Sequence, residues 1–103
     1  LMLHVSKWEM KVGSSRDSFG NAALNMCKCA KKASGVNSAK FYWLNPNVIG
    51  FAIDANTGSW GAGAEPNGET MKAFFDLADL SSNIMDETWI DAGLGQERSD
   101  KAQ

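Results

Sequence analysis

Residues 39–55, AKFYWLNPNVIGFAIDA, decide how the rest of the chain is read. Two apolar runs flank Asn45-Pro46-Asn47, whose residue types suit a tight turn, so the stretch predicts a β-hairpin. In its second arm Ile49, Phe51 and Ile53 share one face, and Val48, Gly50, Ala52 and Asp54 share the other. The first face is bulky and suits packing under helices. The second is small and apolar as far as Asp54, which predicts that another surface approaches it closely. In the first arm Phe41 and Trp43 oppose Tyr42 and Leu44, so both faces are apolar there too. A sheet with water on one side alternates more cleanly.

Upstream, Leu3 to Val12 has period two, with His4, Ser6, Trp8, Met10 and Val12 on one face, and predicts a strand whose Trp8 face is buried. Gly13-Ser14-Ser15 ends it and offers N-cap oxygens, with Asp17 placed for the first turn of a helix. Phe19, Ala22, Ala23, Met26, Ala30 and Ala33 then fall at helical spacing, a stripe small enough to lie close to a sheet. Lys31 and Lys32 close that helix, and Gly35 is the expected cap. Downstream, residues 56–63 form a glycine-rich loop that lacks the ending of a phosphate-binding P-loop. It reads as a plain connection or as a flap with Trp60 at its tip. Pro66 to Thr70 opens a second helix with Met71, Phe74, Phe75, Ala78 and Leu77 as its apolar side, ending near Ser82-Asn83. Met85 to Ala92 alternates again and predicts a fourth strand.

A chain of 103 residues, 44% hydrophobic and 21% charged, has the size and balance of one globular domain. The expected domain is 1–93, with 94–103 a polar tail. No apolar run approaches the roughly 20 residues of a membrane helix, and LMLHVSKWEM lacks the basic and apolar regions of a secretion signal, so a cytoplasmic location is expected. The net charge of −2 argues against nucleic acid as a partner. Its distribution is uneven. Residues 1–50 carry seven Lys or Arg against two acids, and residues 51–103 carry three against ten. Either two complementary solvated faces result, or a basic patch of Lys28, Lys31, Lys32 and Lys40 for an anion. Three of those lysines lie where a helix C-terminus favours cations anyway. Cys27 and Cys29 stand two apart on a helix and point about 200° apart, so they are expected to be structural thiols. With His4 the only histidine, no metal site is predicted.

The order β-α-β-β-α-β is the split βαβ, or ferredoxin-like, arrangement: an α+β fold with an antiparallel four-stranded sheet, order 4-1-3-2, and two helices on one face. The other face is then bare, and it carries more apolar residues than a solvated face should. Two such sheets packed face to face would bury it, so a homodimer is expected. In this element order, over residues 3–92, the chain resembles the dimeric α/β-barrel superfamily. That group includes antibiotic-biosynthesis monooxygenases, stress-responsive Dabb domains, haem-degrading monooxygenases and small polyketide cyclases. LHVSKWEMKVG is similar to the first strand of a Dabb domain, which often starts with a histidine near this position. The resemblance implies a small hydrophobic ligand in an apolar pocket between sheet and helices, and cofactor-independent monooxygenase or cyclase chemistry on an aromatic or polyketide-like substrate. No cofactor is predicted; haem ligation through His4 stays open, but the helical or loop histidine that such enzymes usually supply is missing.

Within that frame His4 is the candidate catalytic residue, since imidazole is the side chain suited to proton transfer near neutrality and His4 shares a face with Trp8. Trp8, Tyr42, Trp43, Trp60 and Trp89 are the candidate ligand-binding residues, because ligand pockets are apolar with few polar groups. Three readings stay open: a cofactor-independent enzyme, a non-catalytic binder of a small hydrophobic molecule, and a protein-interaction subunit.

Overall fold

A computed structural model of the chain describes residues 1–61 and 66–92. Its elements run β1 (Met2–Met10), α1 (Arg16–Lys32), β2 (Val36–Asn45), β3 (Val48–Ala55), α2 (Gly68–Leu80) and β4 (Ser81–Ile90). All strand pairs are antiparallel, in the order β2-β3-β1-β4, so the fold is the expected ferredoxin-like α+β arrangement. The expected tail, 94–103, and the end of the glycine-rich loop at 62 and 63 lie outside the described residues.

The hairpin turns at Pro46-Asn47. Pro46 pre-sets a negative φ, and no described residue other than glycine has a positive one, so this is not a primed turn. Asn45 instead accepts the Asn47 N–H on Oδ1 at 2.8 Å, and a register irregularity at Leu44 takes up the strand twist. On β3, Ile49, Phe51 and Ile53 enter the core beneath α1, as the alternation predicts. They pair across β1 with Trp8, Ser6 and His4, which share that face.

Ser15 caps α1 by accepting the Ser18 N–H at 3.0 Å. Phe19, Ala23, Met26 and Ala30 are buried, and so are Cys27 and Cys29. Both thiols are covered although they diverge, because α1 is walled by the sheet beneath and by α2 alongside. The C-cap is Ala33, not Gly35. Gly35 lies beyond it at φ +85°, and its carbonyl accepts the Asn56 N–H at 2.7 Å, so it serves the loop after β3.

The second helix departs from expectation. Its buried residues are Thr70, Ala73 and Leu77, whereas Met71, Phe74 and Phe75 are exposed to different degrees. α2 packs chiefly against α1, and its large apolar residues stay partly exposed. The helix stops at Leu80, where Ser81 turns to extended backbone and its buried hydroxyl donates to the Leu77 carbonyl at 2.7 Å. The chain passes straight into β4, so the strand begins four residues before the predicted Met85. Ser81 and Ser82 pair with Met10 and Glu9, and Ile84 is left as a bulge. No described helix is long and apolar enough to cross a membrane.

Candidate functional site

Because α2 leans on α1, a cleft of about 850 Å³ opens between α2 and the β1 side of the sheet. That volume lies within the range of small-molecule sites, about 300–1,000 Å³. The floor comes from His4, Ser6 and Trp8 of β1 with Phe51 and Ile53 of β3. The roof comes from Thr70, Met71, Phe74 and Leu77 of α2. The Phe74 ring stands edge-on to Trp8 with centroids 5.5 Å apart, so the partial exposure of Phe74 reflects its place on the cleft wall.

His4 sits at one side of the floor. Its Nδ1 and the Thr88 hydroxyl of β4 share a hydrogen bond of 3.0 Å. This fixes the ring, and with Nδ1 as donor it leaves the Nε2 lone pair available. Nε2 is buried with no hydrogen-bond partner among the described residues. Gly61 closes over the ring at φ +81°, so near that a Cβ there would stand 2.7 Å from His4 Cε1. Asp86, opposite Ser6 on β4, adds a carboxylate to the lining. Lys32, Ser34 and Asn67 add polar groups where α1 ends and α2 begins, with Lys32 3.4 Å from Glu69. A carbon-rich floor and roof with a few polar groups suits a flat, largely apolar guest. Among the described residues no three His, Cys, Asp or Glu side chains gather as a metal-binding group.

Of the residues singled out in the sequence, His4, Trp8 and Trp60 meet at this cleft. Trp60 is half-buried against the core and does not project from a loop tip. Three do not reach it. Trp43 faces the helices at the far end of the sheet, edge-on to Phe19 at 5.7 Å and with the Arg16 guanidinium 4.4 Å above its ring. Strand alternation turns Tyr42 and Trp89 to the opposite face, where they are 54% and 55% exposed. The four lysines form no single patch either, since Lys40 leaves β2 on the face away from α1. Thr88, Thr70, Asp86 and Phe74 are site residues that the sequence does not single out. Alternation can place Thr88 and Asp86 on one face, but pairing them with His4 and Ser6 needs the β1–β4 register.

Burial pushes the Cys27 thiol up to about 11, with nearby Lys31 partly offsetting the shift. Cys27 is therefore a protonated packing residue at neutral pH.

No family model matches the chain, and no curated protein matches its sequence. Solved structures do match its fold. SnoaB, a cofactor-independent oxygenase from Streptomyces nogalater, aligns with a TM-score of 0.71 over 87% of this chain and 91% of its own, at 10% identity. A Nitrosomonas europaea protein provisionally described as an antibiotic biosynthesis monooxygenase aligns at 0.72 over 89% and 99%, with 9% identity. A conserved Bacteroides thetaiotaomicron protein of unknown function aligns at 0.68 over 85% and 95%, with 14% identity. Two of these three neighbours are described as an oxygenase or a monooxygenase, and at these identities the likeness is one of fold.

Proposed function

We propose that the cleft binds a small, flat aromatic or polyketide-like molecule and that the protein is a cofactor-independent monooxygenase acting on it. The observation that carries this reading is the buried His4 Nε2, without a hydrogen-bond partner among the described residues, in a cleft lined by Trp8, Trp60 and Phe74. An imidazole whose other nitrogen is tied to Thr88 can take a proton from a phenol or from a methylene activated by adjoining rings. The electron-rich carbanion then reduces dioxygen. The O–O bond breaks, one oxygen stays on the carbon as a carbonyl, and the other leaves as water with the two hydrogens of the former methylene. One methylene and one dioxygen thus give one carbonyl and one water. The electrons come from the substrate, so the scheme uses no cofactor. The oxygenase neighbours support it as fold analogy.

The test is oxygen uptake with polycyclic phenols and anthrone-like methylenes, beside ligand binding followed by tryptophan fluorescence. His4→Ala should lower turnover by about 10²- to 10⁴-fold while the fold persists. Full activity in that variant would remove His4 as the base. Tight binding with no oxygen uptake by the parent protein would leave a binder and end the oxygenase reading.

The same reading includes a homodimer through the face that bears Leu3, Val5, Tyr42 and Trp89. Exposed aromatics on the outer side of a four-stranded sheet support it, although Leu44 already leans over Gly50, its Cδ1 3.4 Å from where a Cβ would be. Sedimentation should give twice the 11.1 kDa of one chain. A monomer at micromolar concentration would sink the dimer and leave the cleft untouched.

A further inference from the structure

Two side-chain atoms among the described residues are buried without a hydrogen-bond partner: His4 Nε2 and Thr70 Oγ1. One belongs to β1 and the other to the first turn of α2, and both side chains line the same cleft. Thr70 is 3% exposed. A threonine in a helix commonly returns its hydroxyl to a carbonyl three or four residues back, which would satisfy it locally. Thr70 does not. Its backbone N–H is held by Asn67 Oδ1 at 2.8 Å, while its hydroxyl has no such bond. Unpartnered buried polar atoms are rare and costly, and packing defects would have no reason to share one cavity. Trp8, Phe51, Ile53, Met71 and Phe74 supply carbon surface to the same cleft, beside the polar groups described above.

Taking the cleft to be a small-molecule pocket, we infer that its ligand is a flat aromatic carrying oxygen functions at two edges, one meeting His4 Nε2 and the other Thr70 Oγ1. Thr70 is then a specificity residue. A hydroxyl both donates and accepts, so it takes a phenol or a quinone-type carbonyl at the second edge. A site whose polar group pairs only with the oxygenated guest discriminates against the guest that lacks the oxygen.

The test uses naphthalenediols of different hydroxyl spacing (1,4-, 1,5-, 2,6- and 2,7-) against the two mononaphthols, titrated calorimetrically. The parent protein should bind its preferred diol about three- to tenfold more tightly than either naphthol, the worth of one neutral hydrogen bond. Thr70→Val keeps the shape and removes the hydroxyl. It should abolish that preference, and Thr70→Ser should restore it. Because the hydroxyl is unsatisfied in the free protein, Thr70→Val should also raise the melting temperature, by roughly 4–8 °C if the penalty is that of an ordinary unpaired buried group. A diol preference that survives in Thr70→Val would overturn the assignment, as would a lowered melting temperature, which would mean that the hydroxyl was already satisfied by protein or water. If no naphthol or diol binds the parent protein at millimolar concentration, the pocket reading itself fails. Binding without any diol preference removes the role of Thr70 alone.

Discussion

The two helices cross the same sheet and do different things there. α1 sets six buried residues against its surroundings, from Phe19 to Ala30. α2 buries three, of which Thr70 and Leu77 also line the cleft, and leaves Met71, Phe74 and Phe75 partly exposed. One helix closes the core and the other roofs a cleft. The difference follows from side-chain size: the alanines of α1 permit close approach, while Met71 and Phe74 hold α2 away from the sheet. Function in this fold is therefore expected on the α2 side, and stability on the α1 side.

Truncation separates the two helices most strongly. Phe19→Ala removes a fully buried ring that packs on Trp43, and should cost about 3–5 kcal/mol in urea denaturation. Phe75→Ala, at a position 58% exposed, should cost about 0.5 kcal/mol or less. Equal costs would erase the distinction between the helices.

A second contrast lies in thiol chemistry on α1. With its ionisation raised from 9.0 to about 11, Cys27 in the native protein holds about a hundredth of the thiolate that an unfolded chain would at pH 8. Alkylation should be slower by at least that factor until urea unfolds the chain. The sign for stability follows. Between pH 9 and 11 the unfolded state loses the thiol proton before the native state does, so this contribution is intact below pH 9 and lost as pH rises through 11. Rapid native labelling at pH 8 would show that α1 opens more readily than its burial implies.

What can be read from the residues divides along the same line. Ile49, Phe51 and Ile53 are legible because period two survives wherever one face is buried, and the α1 stripe because its spacing of three and four has no competing pattern. The buried side of α2 is legible only in Leu77. Met71, Phe74 and Phe75 are larger and more apolar than Thr70 and Ala73, so a reading by hydrophobicity ranks partly exposed positions above those two core contacts. Ser82-Asn83 reads as the end of the helix because its residues favour turns, yet pairing with β1 makes Ser81 and Ser82 strand. Alternation alone places His4 on the right face. Its partner Thr88 lies 84 positions away in sequence and only register joins them.

The loop that leads into α2 gives the finest test of whether the cleft is an organised site. Gly61 and Gly13 both have positive φ, +81° and +89°, so alanine at either should cost about 1–2 kcal/mol through the backbone alone. Only at Gly61 does the new methyl meet anything. It would fall 2.7 Å from His4 Cε1 and 3.0 Å from Nδ1, while nothing lies within 4 Å of the equivalent carbon at Gly13. The Gly61→Ala protein must therefore either turn the imidazole, breaking its bond to Thr88, or lift Trp60 and Gly61 off the cleft. Both routes should weaken phenol binding about tenfold or more and move the His4 ring resonances in NMR, while Gly13→Ala leaves both unchanged. If the two variants lose the same stability and both bind as the parent does, the Trp60-Gly61 segment takes no part in holding the ligand, and the cleft is bounded only by β1, β3 and α2.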